Sequence, residues 1–165
     1  MAKPTKYATL ICFIMTIIAL IGIIAGILLS KPLIIAACLF PPVIYEAYRT
    51  EGESTRWASW VLLIVIILEI IFIAANISFD LGQFLGQPEK EIAGYIVPLG
   101  DIKILGPIVM GILSIILFVR TRGKYTKWLA VIIFITCFAL IWALNPGIFK
   151  NLLKIGVEKG LNNIN

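Results

Sequence analysis

The residues of this 165-residue chain best equipped for chemistry are a few acids set among apolar neighbours, and Glu69 is the sharpest of them. It stands near the middle of the apolar run 57–77. An ionisable side chain at bilayer depth is costly and turns toward protein or water. At roughly 100° per residue, Thr55, Ala58, Leu62 and Asn76 fall on nearly the same helix face as Glu69. The spacing therefore predicts an intramembrane polar site of Glu69 and Asn76. In one reading the carboxylate takes a proton or a cation as part of a relay or gate. In the other, a hydrogen-bonded glutamate holds helices together or meets a partner subunit. A conducting path needs several polar groups in series, and no second charge accompanies Glu69 within its run.

The remaining charges read as boundary groups. Glu46 precedes Arg49 by three residues, a spacing that allows a helical ion pair at a membrane interface. Asp80, Glu89, Glu91 and Asp101 make one connection acidic against Lys90 and Lys103, the pattern of a solvated loop. Arg120, Arg122, Lys124 and Lys127 form the most basic stretch, which orients a membrane protein and meets anionic head groups. The net charge of +5 is scattered over such flanks, so nucleic acid is not expected as a partner.

Catalysis by this chain is not expected. It contains no histidine, the commonest general base and a frequent metal and haem ligand. Cys12, Cys38 and Cys137 lie inside apolar runs without Cys-x-x-Cys spacing and read as small buried hydrophobes. No phosphate-binding GxxxxGK[ST], zinc-binding HExxH or nucleophile-elbow GxSxG pattern occurs. No metal site and no cofactor is predicted.

The elements that must position these residues follow from composition. The chain is 61% hydrophobic and 14% charged, with mean hydropathy +1.04, where soluble domains carry about 25% charged residues. Its apolar runs are continuous rather than alternating, which favours helices over a barrel. The prediction is an all-α integral membrane protein. Residues 1–147 form one transmembrane domain with spans at about 7–29, 33–48, 57–77, 104–119 and 128–144. Residues 148–165 form a tail, in which 148–159 carries apolar and polar sides and reads as an interfacial amphipathic helix.

The first run is longer than a signal-peptide core and reads as an uncleaved span. Its Gly22 and Gly26 allow close helix approach, read here as packing within the chain rather than as a dimer motif. The second run is short, about 24 Å if helical, and Pro41-Pro42 predicts a helix break. It is either a kinked span or a re-entrant hairpin. Charge counting favours the span. With five spans, Lys3, Lys6, Arg49, Arg56, Arg120, Arg122, Lys124 and Lys127 share the N-terminal, cytoplasmic side, eight basic residues against six. With four spans the count is seven against seven. Tyr7, Tyr45, Tyr48, Trp57, Trp60, Tyr125 and Trp128 mark the same interface. The connection 78–103 reads as a structured surface loop, and the glycosylation sequon at Asn76 as accidental because it abuts a span. Pro107 is expected in the first turn of the fourth span, where it is tolerated.

Together these features predict a non-catalytic accessory or scaffold subunit of a larger membrane complex. Its partners are bilayer lipid and other membrane subunits or further copies of itself. The alternative is a small oligomeric ion or proton channel or transporter built on Glu69.

Overall fold

The computed structural model describes residues 6–50, 52–77, 89–92, 95–98 and 102–146. Five helices form a bundle: α1 (Ala8–Leu28), α2 (Pro32–Arg49), α3 (Glu53–Ala74), α4 (Ile102–Arg120) and α5 (Lys124–Leu144). Among the described residues, four helices are long and apolar enough to cross a membrane: α1, Thr55–Ala74 of α3, α4 and α5. The chain is therefore a membrane-embedded helical protein. Several helices begin before their apolar runs, α5 by four residues, because the polar turn at a bilayer surface continues the same hydrogen-bond ladder.

The helices run alternately up and down, as side-chain neighbours show. Gly26 meets Ile35 and Gly22 meets Cys38, so α2 returns antiparallel along α1. Glu69 meets Gly106 and Asn76 meets Lys103, which sets α4 antiparallel to α3. Thr9 meets Tyr125 and Thr16 meets Trp128, so α5 runs parallel to α1. One end of the bundle thus gathers the starts of α1, α3 and α5 with the ends of α2 and α4. Lys6, Arg49, Arg56, Arg120, Arg122, Lys124 and Lys127 all lie at this end, together with Tyr7, Tyr45, Tyr48, Trp57, Trp60, Tyr125 and Trp128.

Helix α2 is the core element, packed against α1, α3 and α5. Ile35, Ala36, Leu39 and Val43 are buried in one cluster with Leu62, Ile66, Met110, Leu117, Ile133 and Leu140. Gly22 and Gly26 are both buried, and an added Cβ at either would overlap Cys38 or Ile35. Such contact at small residues is how helices gain dispersion energy where lipid offers no hydrophobic drive. The GxxxG pattern therefore serves packing within the chain, as its sequence context suggested. The three cysteines are free thiols, Cys12 and Cys137 buried and Cys38 half-buried.

Two proline expectations need correction. Pro41 and Pro42 do not break α2, which continues as one 18-residue helix through both of them, so the hairpin reading fails. The prolines remove the bonds to the carbonyls of Ala37 and Cys38 and crowd those carbonyls with their rings, and Pro42 is buried in the packed bundle. Tertiary packing here outweighs local preference. Pro107 lies inside α4, beyond the first turn, because that helix begins two residues earlier than its apolar run.

The long connection holds a short antiparallel pair not foreseen from sequence, β1 (Glu89–Ile92) and β2 (Tyr95–Pro98), in the register Glu89↔Pro98 to Ile92↔Tyr95. The expected amphipathic helix at 148–159, the rest of the acidic loop and Ser78 of the sequon lie outside the described residues.

Candidate functional site: two buried carboxylates and a basic rim

The inward stripe of α3 consists of Thr55, Ser59, Leu62, Ile66 and Glu69, all buried. These positions repeat at three- and four-residue intervals, the spacing of one helix face. Thr55 and Leu62 join Glu69 there as expected, whereas Ala58 is only half-buried. Glu69 is 1% exposed, and its carboxyl fills the space where a Cβ on Gly106 would stand. Cys137 of α5 lies within its electrostatic reach. Glycine at 106 is what lets α4 approach this carboxyl so closely.

Asn76 does not join Glu69. It lies past the end of α3, exposed, in a left-handed conformation with φ 50. Its side-chain oxygen accepts a 2.9 Å hydrogen bond from Lys103 Nζ. Two turns separate it from Glu69, about 10 Å along the axis. A shared helix face does not bring two side chains together when one sits beyond the helix end, where the backbone turns away. Asn76 instead ties the end of α3 to the start of α4.

The second carboxylate, Glu46, is enclosed rather than interfacial. It is 0% exposed. Its Oε1 accepts a 3.0 Å hydrogen bond from Thr50 Oγ1, a hydroxyl also placed to donate to the Glu46 carbonyl at 2.9 Å. Ser59 Oγ lies 3.0 Å from Thr50 Oγ1 and 3.2 Å from the Thr55 carbonyl. Thr55 Oγ1 donates to the Gly52 carbonyl at 3.1 Å, and Gly52 has φ 130, a conformation open to glycine. Two hydroxyl protons, from Thr50 and Ser59, thus face several acceptors, so the network is rich in acceptors and short of donors. Cys12 of α1 borders it.

Arg49 does not form the predicted ion pair with Glu46. Its Nη1 donates to Tyr45 OH at 3.4 Å, and its Cζ sits 4.9 Å from the Tyr125 ring centre. It still acts on Glu46 through space. The basic loop forms a rim at the same end: Arg120, Arg122 and Lys124 are exposed, and Lys127 places Nζ 5.5 Å from the centre of the Phe118 ring.

The burial of Glu46 was readable in principle. Ile35, Leu39 and Val43 mark the inward face of α2, and Glu46 continues that face at the next three-residue step. Its nearness to the polar loop made an interfacial position look sufficient.

Between the two carboxylates lies an apolar layer that includes Leu62 and Ile66, each fully buried. Ser59 and Glu69 are ten residues apart on one helix, about 15 Å. Among the described residues no group of three or more Cys, Asp or Glu could hold a metal ion.

Fold and site together define a class, a compact membrane-embedded helical bundle with two enclosed carboxylates and one basic, aromatic rim. No family model, curated protein or solved structure matches the chain.

Proposed function

We propose that this protein is a non-catalytic accessory or scaffold subunit of a larger membrane assembly, with all five helices crossing the bilayer and the basic rim on the cytoplasmic side. The observation that carries this reading is the packing of Glu69. Its carboxyl is seated on Gly106, and Leu62 and Ile66 separate it from the polar end. A carboxylate so placed suits a lock between α3 and α4 better than a relay, which needs polar groups in series. The antiparallel return of α2 along α1, from Ile35 opposite Gly26 to Glu46 beside Cys12, supports a full crossing by α2. The 18 residues of α2 cover about 27 Å, close to a hydrocarbon core of about 30 Å. The rim's position at one end supports its orientation by the positive-inside rule.

Outward faces of large apolar side chains, such as Phe13, Ile24, Ile64, Ile112 and Trp142, offer surface for lipid or neighbouring subunits. Native mass spectrometry of the protein extracted from its own membranes tests the reading. A stoichiometric complex with a different membrane protein is expected. Recovery solely as monomer or homo-oligomer overturns it.

The second reading, a small oligomeric channel or transporter, is favoured by one observation: Glu69 is a fully buried carboxylate within a candidate span. Under it, Glu69→Gln abolishes cation or proton flux in proteoliposomes while leaving assembly intact.

A further inference from the structure

We propose that Arg49 and Lys124, gathered at the Tyr125 ring, hold the phosphate group of an anionic phospholipid. Three helices build the place. Tyr125, in the first turn of α5, is fixed by a 3.0 Å hydrogen bond between its hydroxyl and Thr9 Oγ1 of α1. The guanidinium of Arg49, from the last turn of α2, lies 4.9 Å from the ring centre. Lys124 Nζ lies 5.5 Å from the same centre.

Two cations within 5.5 Å of one ring centre repel each other, and the ring offers each only a weak attraction. An anion bound by both offsets the repulsion. Arg49 is also well prepared to take one. Its planar fork presents five N–H donors, of which one is engaged among the described residues, through the 3.4 Å bond to Tyr45 OH. The Tyr125 ring beside the guanidinium limits where the fork can lie, and such a fork suits bidentate binding of phosphate. Among the described side chains, the acid near Arg49 does not meet this need, because the Glu46 carboxyl is fully buried and turned to Thr50. Among residues whose side chains are described, Glu46 and Glu69 are the acids, and both are buried.

Position selects the carrier of the phosphate. Tyr125 opens a helix apolar enough to cross a membrane, so the site stands where head groups lie. Arg49 and Tyr125 are half-buried while Lys124 is exposed, leaving the pair open from the side of the rim. Lys6, Arg56, Arg120, Arg122 and Lys127 at the same end raise the local concentration of anionic lipid. The proposal does not depend on whether the protein acts as a scaffold or as a channel.

The test uses the full chain in detergent, titrated with phosphatidylglycerol or phosphatidylcholine and read by native mass spectrometry and by thermal stability. Tighter retention of phosphatidylglycerol is expected, with a loss of about tenfold in Arg49→Gln and in Lys124→Gln, the weight of one direct hydrogen bond to a charged group. Arg49→Lys, which keeps the charge without the fork, should fall between wild type and Arg49→Gln. Arg122→Gln, on the exposed loop, should change retention less than twofold. Lys124 is exposed, so its variant reports even if Arg49→Gln folds poorly. Equal retention of the two lipids, or retention unchanged in Lys124→Gln, overturns the site. Stabilisation by millimolar inorganic phosphate in phosphatidylcholine that equals the effect of phosphatidylglycerol would overturn the lipid assignment in favour of a soluble phosphate.

Discussion

Glu69 and Glu46 are both buried within one bundle, yet their surroundings differ in kind. Glu69 is buried in α3 against the bare backbone of Gly106, with Leu62 and Ile66 between it and the polar end. Glu46 lies near the end of α2 among hydroxyls, with Oε1 bound to Thr50 and Ser59 one step further along. At the first, the missing Cβ of Gly106 leaves the space that the carboxyl occupies. The second is held in a hydroxyl network at the basic, aromatic end of the bundle. Burial of a carboxylate therefore does not by itself define a function. What stands against it does.

The contrast can be broken most sharply at Gly106. Gly106→Leu forces a Cβ and a branched side chain into the space of the Glu69 carboxyl, so the carboxyl must be displaced or α3 and α4 must separate. Overpacking of this kind costs about 1–3 kcal/mol, and the upper end is expected, read as a fall in unfolding midpoint in detergent. The pair can then be tested for direct coupling. Gly106→Ala should destabilise the wild type and do so much less in a Glu69→Ala background, with an interaction energy of about 1–2 kcal/mol. Strict additivity would show that the two groups do not compete for the same space.

At the other carboxylate, Thr50→Val removes the donor to Oε1 while leaving the fold's shape nearly unchanged. A loss of about 1 kcal/mol is expected, the scale of one hydrogen bond inside a membrane bundle. Smallest should be Glu46→Gln. Its amide adds donors to a network rich in acceptors, so unfolding should shift by less than about 1 kcal/mol in either direction. A large loss in Glu46→Gln would mean that the negative charge itself is required, and the network account of Glu46 would fail.

The membrane class, the helices and the charged rim were legible in the sequence because long apolar runs and clustered arginines and lysines are local signals. The interior position of Glu69 was legible too, since the stripe through Thr55 and Leu62 is a matter of helical period. Its partners were not, because nothing local to 57–77 points to Gly106, more than thirty residues away. Asn76 was assigned to the site by period alone, and the period ends where α3 does. The prolines misled in the opposite sense: Pro41-Pro42 is a strong local breaker, and the neighbours that hold α2 helical are contributed by three other helices. Glu46 was judged by its closeness to the loop, although the spacing from Ile35, Leu39 and Val43 already pointed it inward.

The most direct test of the central claim, that Glu69 is a packing lock and not an ion site, is cation and proton flux through the purified wild-type protein in liposomes. The expected result is flux no greater than in empty liposomes. Flux above that background, removed by Glu69→Gln in a protein that still folds and assembles, would contradict the account.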